Sequence, residues 1–171
     1  TGTILAISRG AGEVAPILIR EARAHDLLMI GKYSEKHLGE PAPLGAHVEQ
    51  ILRRAWCPVL LVPPEGRMGP KMLVAYDGSA VAHRALGATL RLAKMSGAEI
   101  TVLSVANETV AKRILLEAEA YLDAHRAHAR MLRREGDPAE RILEEMRAGD
   151  YDLLAMGAFG QGRLRELLGA T

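Results

Sequence analysis

One cysteine in 171 residues, Cys57, excludes an internal disulfide, so a reducing cytoplasmic compartment is the expectation. It stands in Ala55-Trp56-Cys57-Pro58-Val59-Leu60-Leu61-Val62 at the mouth of a strand-like run, the place of a small core residue rather than a nucleophile. No apolar run approaches the ~20 residues of a membrane-spanning helix, and no secretory signal pattern opens the chain. Charge of one sign is also missing. With Lys+Arg 22 against Asp+Glu 21 the formal net charge is +1, and nucleic-acid binding would call for a clustered basic excess. Neither a nucleic acid nor a membrane is an expected partner. Asn107 is the only asparagine and arginine far outnumbers lysine, a bias that thermophilic adaptation and a GC-rich genome would produce alike.

What the chain has is alternation. Apolar runs take turns with amphipathic segments, which predicts an α/β fold with parallel sheets. Residues 71–76 read as a strand ending at Asp77-Gly78-Ser79. Ala82, Leu86, Leu90 and Ala93 then recur at helical spacing up to Gly97, a helix stop. Residues 99–106 form a near-continuous apolar run, the mark of a strand covered on both faces. Val110, Ile114, Ala118 and Tyr121 outline one face of a long helix, and a strand follows near 127–134. Asp137-Pro138 supplies an N-cap and a first-turn proline for a helix burying Ala139, Ile142, Leu143 and Met146. A last strand at 152–156 leads into a glycine loop.

The first third repeats this grammar. Gly12 to Ala24 aligns with Gly136 to Ala148, with matches at Ala15/Ala139, Glu21/Glu145, Arg23/Arg147 and Ala24/Ala148. After a two-residue gap, Asp26-Leu27-Leu28 and Gly31 match Asp152-Leu153-Leu154 and Gly157. The chain therefore reads as two tandem units, 1–63 and 71–171, joined by a Pro/Gly-rich linker at 64–70. Both units read as incomplete. The first starts at its third strand, and the second stops before the helix and strand that the first supplies at 45–63. Missing segments are the expectation, with a permuted arrangement, residues 45–63 completing the second sheet, as the alternative. A second sheet without its closing strand would have an open edge that drives association.

The loop Met156-Gly157-Ala158-Phe159-Gly160-Gln161-Gly162 holds three glycines in six residues, after the apolar run 153–156. Glycine permits positive φ and close approach, and successive free N–H groups make a cradle for phosphate oxygens. The spacing lacks the Lys-Ser/Thr ending of a P-loop and the glycine order of a dinucleotide fingerprint. On its own such a loop is a plain turn or an anion site.

Taken together, the strand into Asp77-Gly78-Ser79, Gly136-Asp137-Pro138, Met156-Gly157-x-x-Gly160 and Gly169-Ala170-Thr171 resemble the universal stress protein family. Residues 47–62 look like that family's closing helix and strand. The resemblance covers essentially the whole chain as two tandem copies. It implies doubly wound, adenine-nucleotide hydrolase-like units, often dimeric, that bind ATP, with Mg²⁺ accompanying it, and act in stress tolerance. In the ATP-binding subgroup's G-x2-G-x9-G-hydroxyl pattern, Gly157 and Gly160 are met. Eight residues rather than nine separate Gly160 from Gly169, and Ala170 precedes the hydroxyl of Thr171. The first copy has Gly31-Lys32-Tyr33-Ser34, with serine for the second glycine, and Glu35 and Glu40 nearby. Carboxylates beside a phosphate cradle repel it, so that copy's site reads as degenerate.

The nucleotide contacts implied in the second unit are Ala75, Tyr76, Asp77, Ser79, Val105, Met156, Gly157, Gly160, Gly162, Gly169, Ala170 and Thr171. Asp77 would meet ribose hydroxyls or Mg²⁺, Ser79 a phosphate or the metal, and Val105 adenine through its backbone. Helix capping is the plainer role for Asp77 and Ser79, core packing for Val105, and a solvated helix face for Arg163 and Arg165. His125 and His128 lack a third ligand at metal spacing, and no catalytic residue is assigned. The expectation is a nucleotide-binding factor with at most slow ATP hydrolysis and with self-association of units or chains. The alternative is an interaction module of the same fold that binds no nucleotide.

Overall fold

The computed structural model describes residues 13–32, 46–64, 66 and 68–157. The elements in chain order are α1 (Val14–Glu21) with a 3₁₀ turn (Ala22–Ala24), β1 (Leu28–Gly31), α2 (Ala46–Arg54) and β2 (Val59–Val62). They continue as β3 (Lys71–Ala75), α3 (Ala80–Ser96), β4 (Glu99–Val105), α4 (Glu108–Ala124), β5 (Arg130–Arg134), α5 (Pro138–Gly149) and β6 (Leu153–Met156). Every strand pair is parallel, and the strands fall into two sheets, β1-β2 and β5-β4-β3-β6.

The second sheet alternates its side chains between two apolar layers. Met72, Val74 and Tyr76 face α3 and α4, joining Ile100, Val102, Leu86, Leu90, Ile114, Ala118 and Leu122. Leu73 and Leu103 face the other way, onto Ala139 and Ile142 of α5. This division follows from the strand order. The chain moves outward from β3 to β4 to β5, then crosses back over the sheet to lay β6 on the far side of β3. Right-handed crossovers in opposite directions put their helices on opposite faces. The reversal leaves a switch point between the carboxyl ends of β3 and β6, where open α/β sheets bind ligands.

Local chemistry sets the element ends. Ser79 Oγ accepts from Ala82 N at 3.2 Å to cap α3, and Gly97 ends it in the left-handed region at φ 75°. Asp137 Oδ1 caps α5 by accepting from the N–H groups of Ala139 and Glu140, with Pro138 in the first turn. Asn107 Oδ1 accepts from Val110 N at 3.0 Å and starts α4.

Three local expectations shift. The inner face of α4 is Ala111, Ile114, Ala118 and Leu122, while Val110 is 37% exposed and Tyr121 half-buried. The fifth strand begins at Arg130, because Arg126 turns the chain at φ 52° and Ala127 N still donates to Leu122 O. Glu145, on the inner face of α5, is buried (7% exposed). It accepts from Arg134 Nη2 at 2.8 Å and from the Tyr151 hydroxyl at 3.4 Å.

In the first sheet, Leu28 pairs with Val59 and Gly31 with Val62, over a small core of Ala15, Ile19 and Ile51. Among the described residues β2 thus pairs with β1, not with β6 as a permuted arrangement would require. Arg23 lies over the exposed Trp56 ring, 5.4 Å from its centroid. Burial pushes the Cys57 thiol up, with Asp26 adding to the effect against backbone hydrogen bonds that lower it. That disfavours the thiolate a nucleophile needs. Approaching the second sheet, Lys71 N donates to Asp152 Oδ2 at 3.0 Å and Glu99 N to Pro70 O at 2.7 Å. A Cβ on Gly69 would run into the Asp152 carboxylate.

Candidate functional site

β3 leaves its ladder at Tyr76, whose N–H donates to Leu103 O at 2.8 Å. The next three residues make a tight turn into α3. Asp77 is exposed and its Oδ1 accepts from Ser79 N at 2.9 Å. Gly78 takes φ 79°, a conformation that suits a residue without Cβ. Ser79 then caps the helix. Both capping readings are thus partly realised: Ser79 is the N-cap, and Asp77 closes the turn ahead of it. Asp77 Oδ2 carries no such bond among the described residues, so the carboxylate keeps an acceptor at the mouth.

On the neighbouring strand, Ala75 is in register with Met156, which brings Gly157 beside the same turn. A Cβ on Gly157 would lie 2.8 Å from Val81 Cγ2 and 3.1 Å from Ala82 N. The missing side chain is therefore a packing requirement: the backbone of β6 runs directly against the first turn of α3. The amino end of that helix carries N–H groups without intrahelical partners and a partial positive charge. The Asp77 turn, the start of α3 and Gly157 thus converge at the switch point.

Side chains narrow what each residue offers. Tyr76 is buried in the layer under α3 and α4, so it presents only backbone to a ligand. Ala75, Val105 and Met156 pack in the α5 layer. Ala106 N donates to Arg134 O, and alternation along the ladder then turns the Val105 carbonyl toward β3, beyond the point where β3 has ended. Gly160, Gly162, Gly169, Ala170 and Thr171 lie outside the described residues, as do Arg163 and Arg165. Ala75, Tyr76, Asp77, Ser79, Val105, Met156 and Gly157 all come to the carboxyl end of this one sheet.

Two surface depressions lie elsewhere. One runs along the outer face of α4, by Lys112, Arg113 and Leu116, and the other crosses the amino ends of the strands, by Lys71, Glu99 and Arg130. Neither meets the switch point. Among the described residues no group of three His, Cys, Asp or Glu is placed to hold a metal. His128 Nδ1 stands 4.0 Å from Asp123 Oδ1, exposed and without a third ligand. No described helix is long and apolar enough to cross a membrane.

The His83 ring was not foreseen from the sequence. It lies on α3, with Nδ1 3.1 Å from the Tyr76 hydroxyl. The only signal was the i, i+7 placement of a histidine across a strand–helix turn, which has no specificity until the turn's geometry is known.

The chain is similar to proteins of one family. The model of the universal stress protein family matches residues 2–63, 68–120 and 107–171. A universal stress protein of Synechocystis is 32% identical over 158 residues, covering 85% of this chain and 52% of its own length. One from Bacillus subtilis is 27% identical over 125 residues, covering 57% of this chain and 84% of itself. The solved structure of a universal stress protein from Archaeoglobus fulgidus superposes with a TM-score of 0.68 at 21% identity, over 83% of this chain and 54% of that one. The chain spans about half the length of the cyanobacterial and archaeal proteins. On the family match along nearly its whole length, carried by an α/β fold of parallel sheets, this chain belongs to the universal stress protein family.

Proposed function

We propose that the chain is an ATP-binding stress factor whose second unit, 71–171, holds the nucleotide at the switch point between β3 and β6. The observation that supports this most is the convergence of the Asp77 turn, the amino end of α3 and a side-chain-free Gly157 at one strand end. The phosphates would lie along N–H groups of the Gly157–Gly162 loop, and the Gly169-Ala170-Thr171 stretch would close on them. Asp77 would accept from ribose hydroxyls through Oδ2 or help hold Mg²⁺, and the Val105 carbonyl would meet the adenine edge. Mg²⁺ would offset phosphate charge. The reading is one of binding rather than turnover, with self-association of units or chains as part of it.

The first unit fits the rival role of a partner module better than a second nucleotide site. There Ser34 stands in place of the second glycine, and Glu35 and Glu40 follow it in sequence, where carboxylates would repel phosphate.

Calorimetric titration of the purified chain with ATP and Mg²⁺ tests the proposal. Saturable heat is expected from the wild type, and Gly160→Val should abolish it while leaving the melting curve in place. Silence at millimolar ATP overturns the nucleotide reading and leaves the interaction module.

A further inference from the structure

The chain has four tyrosines and six histidines, and two of each form one continuous row. The Tyr76 hydroxyl meets His83 Nδ1 at 3.1 Å. The His83 ring packs edge-on against Tyr121, centroids 4.4 Å apart and planes at 71°. Tyr121 in turn packs on His125 at 4.3 Å, whose Nδ1–H donates to Tyr121 O at 2.8 Å. Room for the row is made by α3 itself, because a Cβ at Gly87 would fall 2.9 Å from the Tyr121 hydroxyl.

The first link of the row spans seven residues. Tyr76 directly follows β3 and His83 stands one turn into α3, so their bond closes a loop around Asp77-Gly78-Ser79. The other hydrogen bonds within that turn are local: Ser79 N on Asp77 Oδ1, Ala82 N on Ser79 Oγ, and His83 N on Ser79 O at 2.9 Å. Among the described residues the tyrosine–histidine pair is the side-chain hydrogen bond that ties strand end to helix, added to the apolar packing of Tyr76 with Ala82 and Leu86, and Tyr121 of α4 packs on the imidazole that makes it. Burial pushes the Tyr76 phenol up, with Glu117 and Asp77 adding to it. The hydroxyl thus keeps its proton near neutrality, and it donates to Nδ1 when Nε2 carries the ring hydrogen.

We propose that His83 is a positioning residue for the nucleotide site: through Tyr76 it braces the Asp77–Ser79 turn, and the brace sets nucleotide affinity. The affinity half rests on the function proposed above; the brace itself is a property of the ligand-free chain. A phenol that merely satisfies its hydroxyl in a core would give a different pattern of variants: losing one partner would lower overall stability without quickening exchange at Ser79 in particular.

Three variants decide it: Tyr76→Phe, His83→Leu, and His83→Asn, whose side-chain oxygen replaces Nδ1 as acceptor. Amide exchange of the Ser79 N–H, followed by NMR without ligand, should quicken about tenfold in the first two and stay near wild type in His83→Asn. Titration with ATP and Mg²⁺ should weaken about fivefold in the same two. The double variant Tyr76→Phe/His83→Leu should be no weaker than either single one. Unchanged Ser79 exchange, an asparagine as damaging as leucine, or losses that add in the double variant would each overturn the brace. If His83→Leu does not fold, Tyr76→Phe against His83→Asn carries the same contrast. A wild type silent to ATP removes the affinity half together with the nucleotide reading, while Ser79 exchange still decides the brace.

Discussion

The strand ends at Gly31 and Gly157 occupy matching places in the repeat, yet among the described residues only Gly157 lies against the amino end of a helix. Gly157 lies against the first turn of α3, beside the Asp77 turn, because β3 runs next to β6. Gly31 closes a strand whose described partner is β2, and the ladder continues into a buried Lys32. The same strand-then-glycine signature thus has different value in the two places. What creates the candidate site is a second strand ending alongside with a helix amino terminus above it, and glycine is the condition for their close approach.

Substitution at the paired positions tests this contrast with the largest expected effect. Gly157→Ala should cost about 1–3 kcal/mol, since its Cβ meets both a valine methyl and the α3 backbone. Gly31→Ala, at an exposed strand position, should change stability by less than about 0.5 kcal/mol. Equal losses in denaturant melts would dissolve the distinction between the two ends.

A second pair of repeat positions sharpens it. Glu145 is buried between Arg134 and Tyr151, whereas Glu21 pairs with Arg20 on the surface. Glu145→Ala should destabilise by about 1–2 kcal/mol, and Glu21→Ala by no more than a few tenths, as exposed pairs do. Urea midpoints of the two variants measure the gap, and a Glu21 loss matching the Glu145 loss would contradict it.

The smallest effect concerns Tyr76. Its folded-state value is raised, so the fold favours the neutral phenol and stabilisation is intact below the unfolded value of about 10. Above that pH the unfolded chain releases its proton first, and stability falls. In Tyr76→Phe the decline in melting temperature between pH 9 and 11 should be shallower than in wild type. Parallel curves would show that Tyr76 does not contribute to the alkaline loss.

Much of the second sheet was legible because its signals are local. The Asp137-Pro138 pair, Ser79 before an apolar repeat and Gly97 after one each act within a turn of where they stand. The inner face of α4 was misread for a simple reason. Positions 110, 114, 118 and 121 and positions 111, 114, 118 and 122 both satisfy helical spacing, and the bulk of Val110 and Tyr121 outweighed Ala111. Tyr121 proves to be a half-buried residue at the rim of that core, packed against it and against His83. Gly157 stood out in the sequence, but the need for it comes from a helix 75 residues earlier that only the crossover to β6 brings near. The burial of Glu145 also depends on non-local partners, since Arg134 reaches it from the sheet's outer strand.

The contact between Gly69 and the Asp152 carboxylate bears on where the second unit begins mechanically. Pro70 already accepts a hydrogen bond from β4, and Gly69 lies flush against β6's approach, so the tether stops two residues before the first ladder residue. The stretch between Val62 and Gly69 connects the two sheets, a span of at most ~25 Å if fully drawn out. Dissecting the chain at Lys71 would strip the cover from Asp152, whereas a cut ahead of Gly69 would release the second sheet with its floor in place.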